Sequence, residues 1–407
     1  MRGKNGLLPG MAGKQILTPK QTRARRKPGG AWRIAVCIDT RDGPGRERLL
    51  GCYQYALERG WRLWLVRQDN AGEIARLRGL ELDGAVFFDR SQRLQETVKR
   101  RGVVCVETGA RHLDLADAAV FVDDDALVRM AAEHLRAVGF ERIGYVGLAG
   151  SQVSESRAAH LAGQAGDGGQ AWLFAERRRD GEMYLERLSR WLRALPKPAG
   201  LLAYDDKMGE RVLAACRWAG IRVPDEVGVI GIGNDELICE LTLPRLSSVA
   251  LPAREIGRAA AEALERLLSG KKVKERWTQV APLEVVSRVS TDRLPAARPA
   301  VLRAVGFMRA EWHRPIGTDQ VAAAAGLPRR TLDRVFCADV GRTVHDYLVE
   351  LRLRNARRLL RQTDLSLSEV SRRSGYASLS SFMRMFAVHT GESPVGYRGQ
   401  YTLHRGM

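Results

Sequence analysis

The stretch SLSEVSRRSGYASLSSFMRMF, residues 366–386, decides how this chain is read: a short amphipathic helix runs into Gly375, and a second helix opens at Ser378. The same pattern occurs upstream in TDQVAAAAGLPRRTLDRVF, residues 318–336, where Gly326 makes the turn and Pro328 opens the second helix. Two helices that cross steeply through a tight joint want glycine there, because it takes left-handed backbone without a steric cost. Ala323 and Ala324 read as the small residues that let the first pair approach. In the first unit Leu332, Val335 and Phe336 fall at helical spacing and form an inner face. Arg329, Arg330, Thr331, Asp333 and Arg334 are then the candidates to enter a DNA groove. In the second unit Leu379, Phe382 and Phe386 are the expected inner face, leaving Ser378, Ser380, Ser381 and Arg384 outside.

Between the two units, TVHDYLVELRLRNARRLLRQ, residues 343–362, carries leucines at helical spacing beside a cationic flank, which predicts one long helix. Such a helix sets the distance between two recognition helices, so one polypeptide can reach successive major grooves about 34 Å apart. Charge agrees. From Arg298 onward there are 18 arginines, no lysine and nine acidic residues. Arginine's planar fork suits phosphates and guanine edges. An all-helical packing domain with solvated arginines is the plainer reading, and two similar units on a basic background weigh against it.

The whole chain has 407 residues and a formal charge of +19, enough for two or three domains. Residues 1–30 contain eight Lys or Arg and no acid, lack periodicity and end in Pro-Gly-Gly, so they read as a disordered basic arm. That arm either touches DNA phosphates or is inert, and Met11 is an alternative start. Cysteines 37, 52, 105, 216, 239 and 337 form no CxxC and read as buried small hydrophobes in a reducing cytoplasm. No stretch reads as a signal peptide or membrane span.

Residues 31–292 alternate short apolar runs with helical segments. RIAVCID at 33–39, WRLWLV at 61–66, DGAVFF at 83–88, GVVCVET at 102–108 and AAVFVDD at 118–124 read as buried parallel strands. RIGYVGL at 142–148, GLLAY at 200–204, VGVIGIG at 227–233 and LSSVAL at 246–251 repeat the pattern, and a basic, partly extended tail follows to about Asp292. Two successive half-sheets imply an α/β fold of two lobes around a cleft, a geometry for enclosing a small molecule. A linker at 293–300 and an all-α domain at 301–407 with two helix-turn-helix units complete the expected order. No dinucleotide or P-loop fingerprint is present, and neither the seven histidines nor Ser247-Ser248 show catalytic or metal-ligand spacing, so no cofactor and no enzyme activity are expected.

The C-terminal region resembles the AraC/XylS family of transcription regulators. The similarity rests on 365–398, including Gly391, Ser393-Pro394 and Tyr397-Arg398, and on Gly326, Phe336, Gly341 and Tyr347. The central region is similar to the sensor of LacI/GalR-type regulators and periplasmic sugar-binding proteins over 122–147, 203–236 and 246–268. The resemblance implies a cytoplasmic homodimer that binds double-stranded promoter DNA under control of a small effector such as a pentose or related sugar. It also implies activation, with RNA polymerase as a partner. A repressor, or a regulator answering a non-sugar metabolite, is the alternative; an enzyme or solute-binding protein with an accessory DNA-binding domain is a different class.

Arg157 and Asp206 stand at positions that match ligand contacts in the sensor family. Gly233 and Leu251 replace an aspartate and a glutamine common there, so Asn234 or Asp235 is the expected substitute acceptor. Asp39 and Arg46 flank the first strand-helix turn and are rim candidates by position. Phe88, Trp172 and Tyr204 are the aromatics available to cover a ring.

Overall fold

The computed structural model describes residues 31–66, 71–88, 92–164, 172–176, 181–293 and 298–402. The described chain separates into one unit ending at Arg293 and another beginning at Leu294. The basic arm at 1–30 and residues 294–297 of the expected linker lie outside the described residues.

The first unit begins β1 (Arg33–Cys37), α1 (Gly43–Glu58), β2 (Arg62–Leu65), α2 (Ala71–Gly79), β3 (Gly84–Phe87), α3 (Gln92–Lys99), β4 (Val104–Glu107) and β5 (Ala118–Val122). It continues α4 (Asp124–Ala137), β6 (Arg142–Leu148), α5 (Gln152–Gly163), β7 (Trp172–Glu176), α6 (Gly181–Ala194), β8 (Ala199–Ala203), α7 (Asp206–Trp218), β9 (Val227–Gly233), α8 (Glu236–Leu241) and β10 (Ser247–Ala250). Then come α9 (Ala253–Leu268), β11 (Trp277–Val280) and β12 (Val285–Val286).

Among the described residues these strands form two six-stranded sheets, ordered β11-β5-β4-β3-β1-β2 and β12-β10-β9-β8-β6-β7. Ladder pairs are parallel except β10 with β12. Continuous apolar strands such as RIAVC and AGLLA are buried on both faces, as a sheet covered by helices demands. This is the expected two-lobed α/β sensor fold.

The chain passes between lobes three times. It leaves the first sheet after Val122, so that α4 packs on the second; it returns after Ala250, so that α9 packs on the first; and it crosses again between β11 and β12. The crossings are tied together by backbone bonds from Asp123 N to Val280 O (2.8 Å), Ala250 N to Glu284 O (2.8 Å) and Leu283 N to Ala250 O (3.0 Å). The tail expected to be partly extended therefore divides: Trp277–Val280 joins the first sheet beside Ala119–Val122, and Val285–Val286 joins the second. Helix α1 starts at Gly43, so Arg46 lies inside the helix rather than at the turn before it. Asp42 accepts from the Gly45 amide at 2.8 Å and Pro44 fits the first turn.

The second unit holds α10 (Pro299–Glu311), α11 (Thr318–Ala325), α12 (Arg329–Val340), α13 (Val344–Gln362), α14 (Leu367–Arg373), α15 (Leu379–Thr390) and α16 (Pro394–Thr402). Helices α11–α12 and α14–α15 are the two helix-turn-helix units, and α13 is the single long helix predicted between them. It serves two small cores. Val344, Tyr347 and Leu348 pack with Leu332 and Phe336, while Val349, Leu353 and Ala356 pack with Phe382 and Phe386.

Three expectations for buried side chains are corrected. Ala322 and Ala325 are the buried alanines of α11; Ala323 is exposed and Ala324 half-buried, a shift of one position around the helix. Leu379 is 40% exposed, because the inner face of α15 is defined by Phe382 and Phe386 one turn and two turns later. Cys337 is exposed, whereas the other five cysteines are buried.

Candidate functional site

A cavity of about 380 Å³ opens between the lobes of the first unit. That lies at the lower end of the usual range for small-molecule sites, about 300–1,000 Å³. Its walls come from the carboxyl ends of the strands, where parallel α/β sheets leave room for ligands. The first lobe supplies Asp42, Arg48, Phe88, Thr108 and Arg111; the second supplies Ser151, Arg157, Tyr204, Asp206, Lys207, Asp235 and Ile238.

Arg157 projects from α5 and is 8% exposed. Its Nε donates to Asp124 Oδ1 at 2.7 Å, its Nη1 donates to Tyr204 O at 3.0 Å, and the guanidinium lies 5.5 Å from the Tyr204 ring centroid. Burial works against the charge, but Asp124, Tyr145 and Tyr204 together more than offset it, so the guanidinium is held above its ordinary pKa. The ion pair it makes with Asp124 is buried.

Asp206 is the first residue of α7, and the preceding Asp205 is the N-cap, accepting from Met208 N at 2.7 Å. That frees the Asp206 carboxyl from capping. It accepts from Ser248 Oγ at 2.5 Å and from the Asp235 amide at 2.6 Å. Burial nevertheless pushes its pKa up to about 7, against the pull of those two donors.

The remaining predicted residues divide. Asp235 reaches the cavity wall together with Arg157 and Asp206. Asn234 does not; it sits at φ +50, its amide donating to Ser248 Oγ at 3.0 Å. Asp39 turns to Arg41, which it holds at 2.9 Å, and is absent from the cavity wall. Arg46 is likewise off the wall, its Nη2 3.8 Å from Asp235 Oδ2. The reason is geometric: the turn after β1 is closed by the Asp42 cap, which brings Asp42, Pro44 and Arg48 inward instead.

Sequence reasoning missed Arg48, Arg111 and Lys207. Arg48 is 4% exposed with its guanidinium 4.0 Å from the Phe88 ring centroid. Within RERLLGC it reads as one more solvated charge, and no local signal marks it. Of the three predicted aromatics, Phe88 and Tyr204 line the cavity; the Trp172 side chain lies outside the described residues.

In the second unit the outer face of α12 presents Arg329, Arg330 and Arg334 to solvent, with Thr331 and Asp333 half-buried. Arg329 is engaged by Asp319 at 3.3 Å and Asp333 at 3.9 Å. On α15, Ser380 and Arg384 are exposed and Ser381 is half-buried. Ser378 Oγ accepts from the Ser381 amide at 3.2 Å and so caps the helix.

The turn glycines take the left-handed backbone their position requires, Gly326 at φ +70 and Gly375 at φ +75. Arg352 on α13 ties the unit together, its Nε donating to Trp312 O at 3.2 Å and its Nη2 to Arg314 O at 2.9 Å and Ile316 O at 2.8 Å. Among the described residues no helix is long and apolar enough to cross a membrane.

Comparison with known proteins agrees with this geometry. Residues 132–291 match the periplasmic binding protein-like domain family, and residues 321–400 match a helix-turn-helix domain family. The xylose operon regulatory protein of Escherichia coli K12 is 31% identical over 367 residues, covering 86% of this chain and 92% of the relative. That of Haemophilus influenzae is 32% identical over 289 residues, covering 69% and 74%. Among solved structures, a xylose-binding transcription activator superposes with TM-score 0.67 at 28% identity, covering 91% of this chain and 98% of that one. A cellobiose-bound transcriptional regulator shares the sensor fold, with TM-score 0.55 at 21% identity over 63% of this chain and 84% of that one.

Proposed function

The chain belongs to the family of the xylose operon regulatory protein, and from that premise we propose that it is a transcription activator switched by an aldopentose held between its sensor lobes. As a member of that family it is a DNA-binding transcription regulator and not an enzyme. The observation that carries the ligand reading is the charge balance of the cavity. Its described lining includes four bases (Arg48, Arg111, Arg157, Lys207) and five acids (Asp42, Asp124, Asp205, Asp206, Asp235), which suits a neutral polyol better than a phosphorylated or carboxylated ligand.

Arg157 and Asp206 are assigned to ligand hydroxyls, as donor and acceptor, with Tyr204 and Phe88 available to cover C–H faces. Gly233, Ile232, Ile238 and Leu251 contribute no charged or hydroxyl group to their part of the wall, which favours a five-carbon over a six-carbon sugar. Arg330 and Arg334 of the first reader and Ser380 and Arg384 of the second are assigned to promoter DNA, with homodimerisation and contact to RNA polymerase belonging to the same reading. Binding pulls the lobes together, and the DNA affinity changes to the extent that the ligand prefers one lobe arrangement.

Calorimetric titration with D-xylose, L-arabinose, D-ribose, D-glucose and D-xylose 5-phosphate tests the ligand assignment. Saturable binding of a neutral pentose supports it, and a preference for the phosphate refutes it. Transcription from a target promoter in vitro, with and without the sugar that binds, separates activation from repression.

A further inference from the structure

Asp235 occupies the N-cap position of α8, yet its side chain makes no capping bond to that helix. Its Oδ2 instead accepts from the amide of Gly43, at 2.7 Å, across the cleft. Gly43 is the first residue of α1, whose own cap Asp42 satisfies the Gly45 amide and leaves that of Gly43 as an orphan donor of the helix end. The carboxylate thus supplies from one lobe what the helix of the other lobe lacks, at the positive end of its dipole.

Neighbouring contacts join the same two segments. Lys207 Nζ, on α7 of the second lobe, lies 3.4 Å from Asp42 Oδ2. A Cβ added at Gly233, whose φ is +123, would lie 2.9 Å from Pro44 Cγ and 3.1 Å from Asp206 Oδ2. An acidic side chain at 233 would therefore have to displace Pro44 or Asp206, and the acid of this loop stands two residues later, facing α1. On the loops after β4 and β6, Arg111 Nη2 donates to Ser151 Oγ at 2.9 Å.

We propose that Asp235 is a positioning residue for lobe closure: by accepting from the Gly43 amide it stabilises the closed arrangement and so sets how much effector is needed to populate it. The Asp206 carboxyl connects this latch to the ligand wall, because it accepts from the amide of Asp235 itself. A ligand that engages Asp206 therefore meets a loop already oriented for closure. The proposal rests on the reading of the cavity as an effector site, but the latch acts on the lobes whether or not the effector is a pentose.

The test measures the inter-lobe distance by double electron–electron resonance in the full chain. Spin labels go on Arg93→Cys and Arg190→Cys, exposed positions of the two lobes, with the exposed thiol removed by Cys337→Ser. Wild type, Asp235→Asn and Asp235→Ala are compared without ligand and in a D-xylose titration. Asp235→Ala is expected to lengthen the ligand-free distance distribution, and Asp235→Asn, which keeps an acceptor oxygen, to lengthen it less.

The D-xylose concentration for half-closure should rise about ten- to hundredfold in Asp235→Ala, the range for one charge-assisted hydrogen bond. Identical ligand-free distributions in wild type and Asp235→Ala overturn the latch. A ligand-free difference with no response to D-xylose in any of the three proteins upholds the latch and removes D-xylose as the effector instead. Where Asp235→Ala fails to fold, Lys207→Gln combined with Asp235→Asn is compared with wild type in the same way.

Discussion

Arg157 and Asp124 form an ion pair of 2.7 Å with each side chain only 9% exposed, at the point where the chain has just crossed from the first lobe to the second. Asp124 opens α4 and Arg157 comes from α5, so the pair fixes a cavity wall rather than decorating a surface. Removing one member leaves a buried charge alone, which costs more than the pair contributes while intact.

Arg157→Ala is accordingly expected to abolish effector binding and to destabilise the first unit by about 3–5 kcal/mol. Double replacement with Asp124→Ala should recover part of the stability and none of the binding. Calorimetry and denaturant unfolding read the two effects separately, and an unchanged ligand affinity in Arg157→Ala would falsify its assignment as a ligand residue.

Asp206 makes stability depend on pH. Its carboxyl is raised from an ordinary 3.8 to about 7 when folded, so the folded state holds a proton that the unfolded state releases. The stability from this group is full below the ordinary value and lost as pH rises through about 7. Asp206→Asn, which stays neutral and can donate to Ser248 Oγ, should flatten the decline in unfolding free energy between pH 4 and 7. A slope identical to wild type would mean that the carboxyl ionises at the same pH in both states.

The two turn glycines should respond differently to alanine. Both pay the left-handed penalty, about 1–2 kcal/mol. At Gly326 the nearest atom to an added Cβ is a terminal nitrogen of Arg303 at 3.5 Å, while at Gly375 it is the Trp312 carbonyl oxygen at 2.1 Å. Gly375→Ala should therefore lower the thermal midpoint of the second unit clearly more than Gly326→Ala, measured by circular dichroism. Equal shifts would show that the backbone contact relaxes without cost.

Arg330→Ala or Arg334→Ala is expected to weaken binding to a selected promoter duplex by about 1–3 kcal/mol where the guanidinium reads a base edge. Arg329→Ala should have the smaller effect, because Asp319 and Asp333 already engage that side chain. Fluorescence anisotropy on specific and scrambled duplexes distinguishes the modes: a loss of the same size on scrambled DNA identifies a phosphate contact.

The amino-acid sequence by itself determined the class of each part. Short continuous apolar runs marked β1, β3, β6, β8 and β9 to within a residue or two, and the spacing around Gly326 and Gly375 marked both readers, because each of these signals is complete within about twenty residues. What required the tertiary structure was every partnership between distant segments. Trp277–Val280 pairs with a strand more than 150 residues earlier, Gly43 meets Asp235 across 192 positions, and Arg48 turns inward only because Phe88 and the cavity lie beneath α1. The same holds for Asn234, Asp39 and Arg46, which are near the cleft in sequence position and off its wall in space. A side chain's direction at a strand end is set by which lobe packs over it, and that information belongs to the assembled chain rather than to any local pattern.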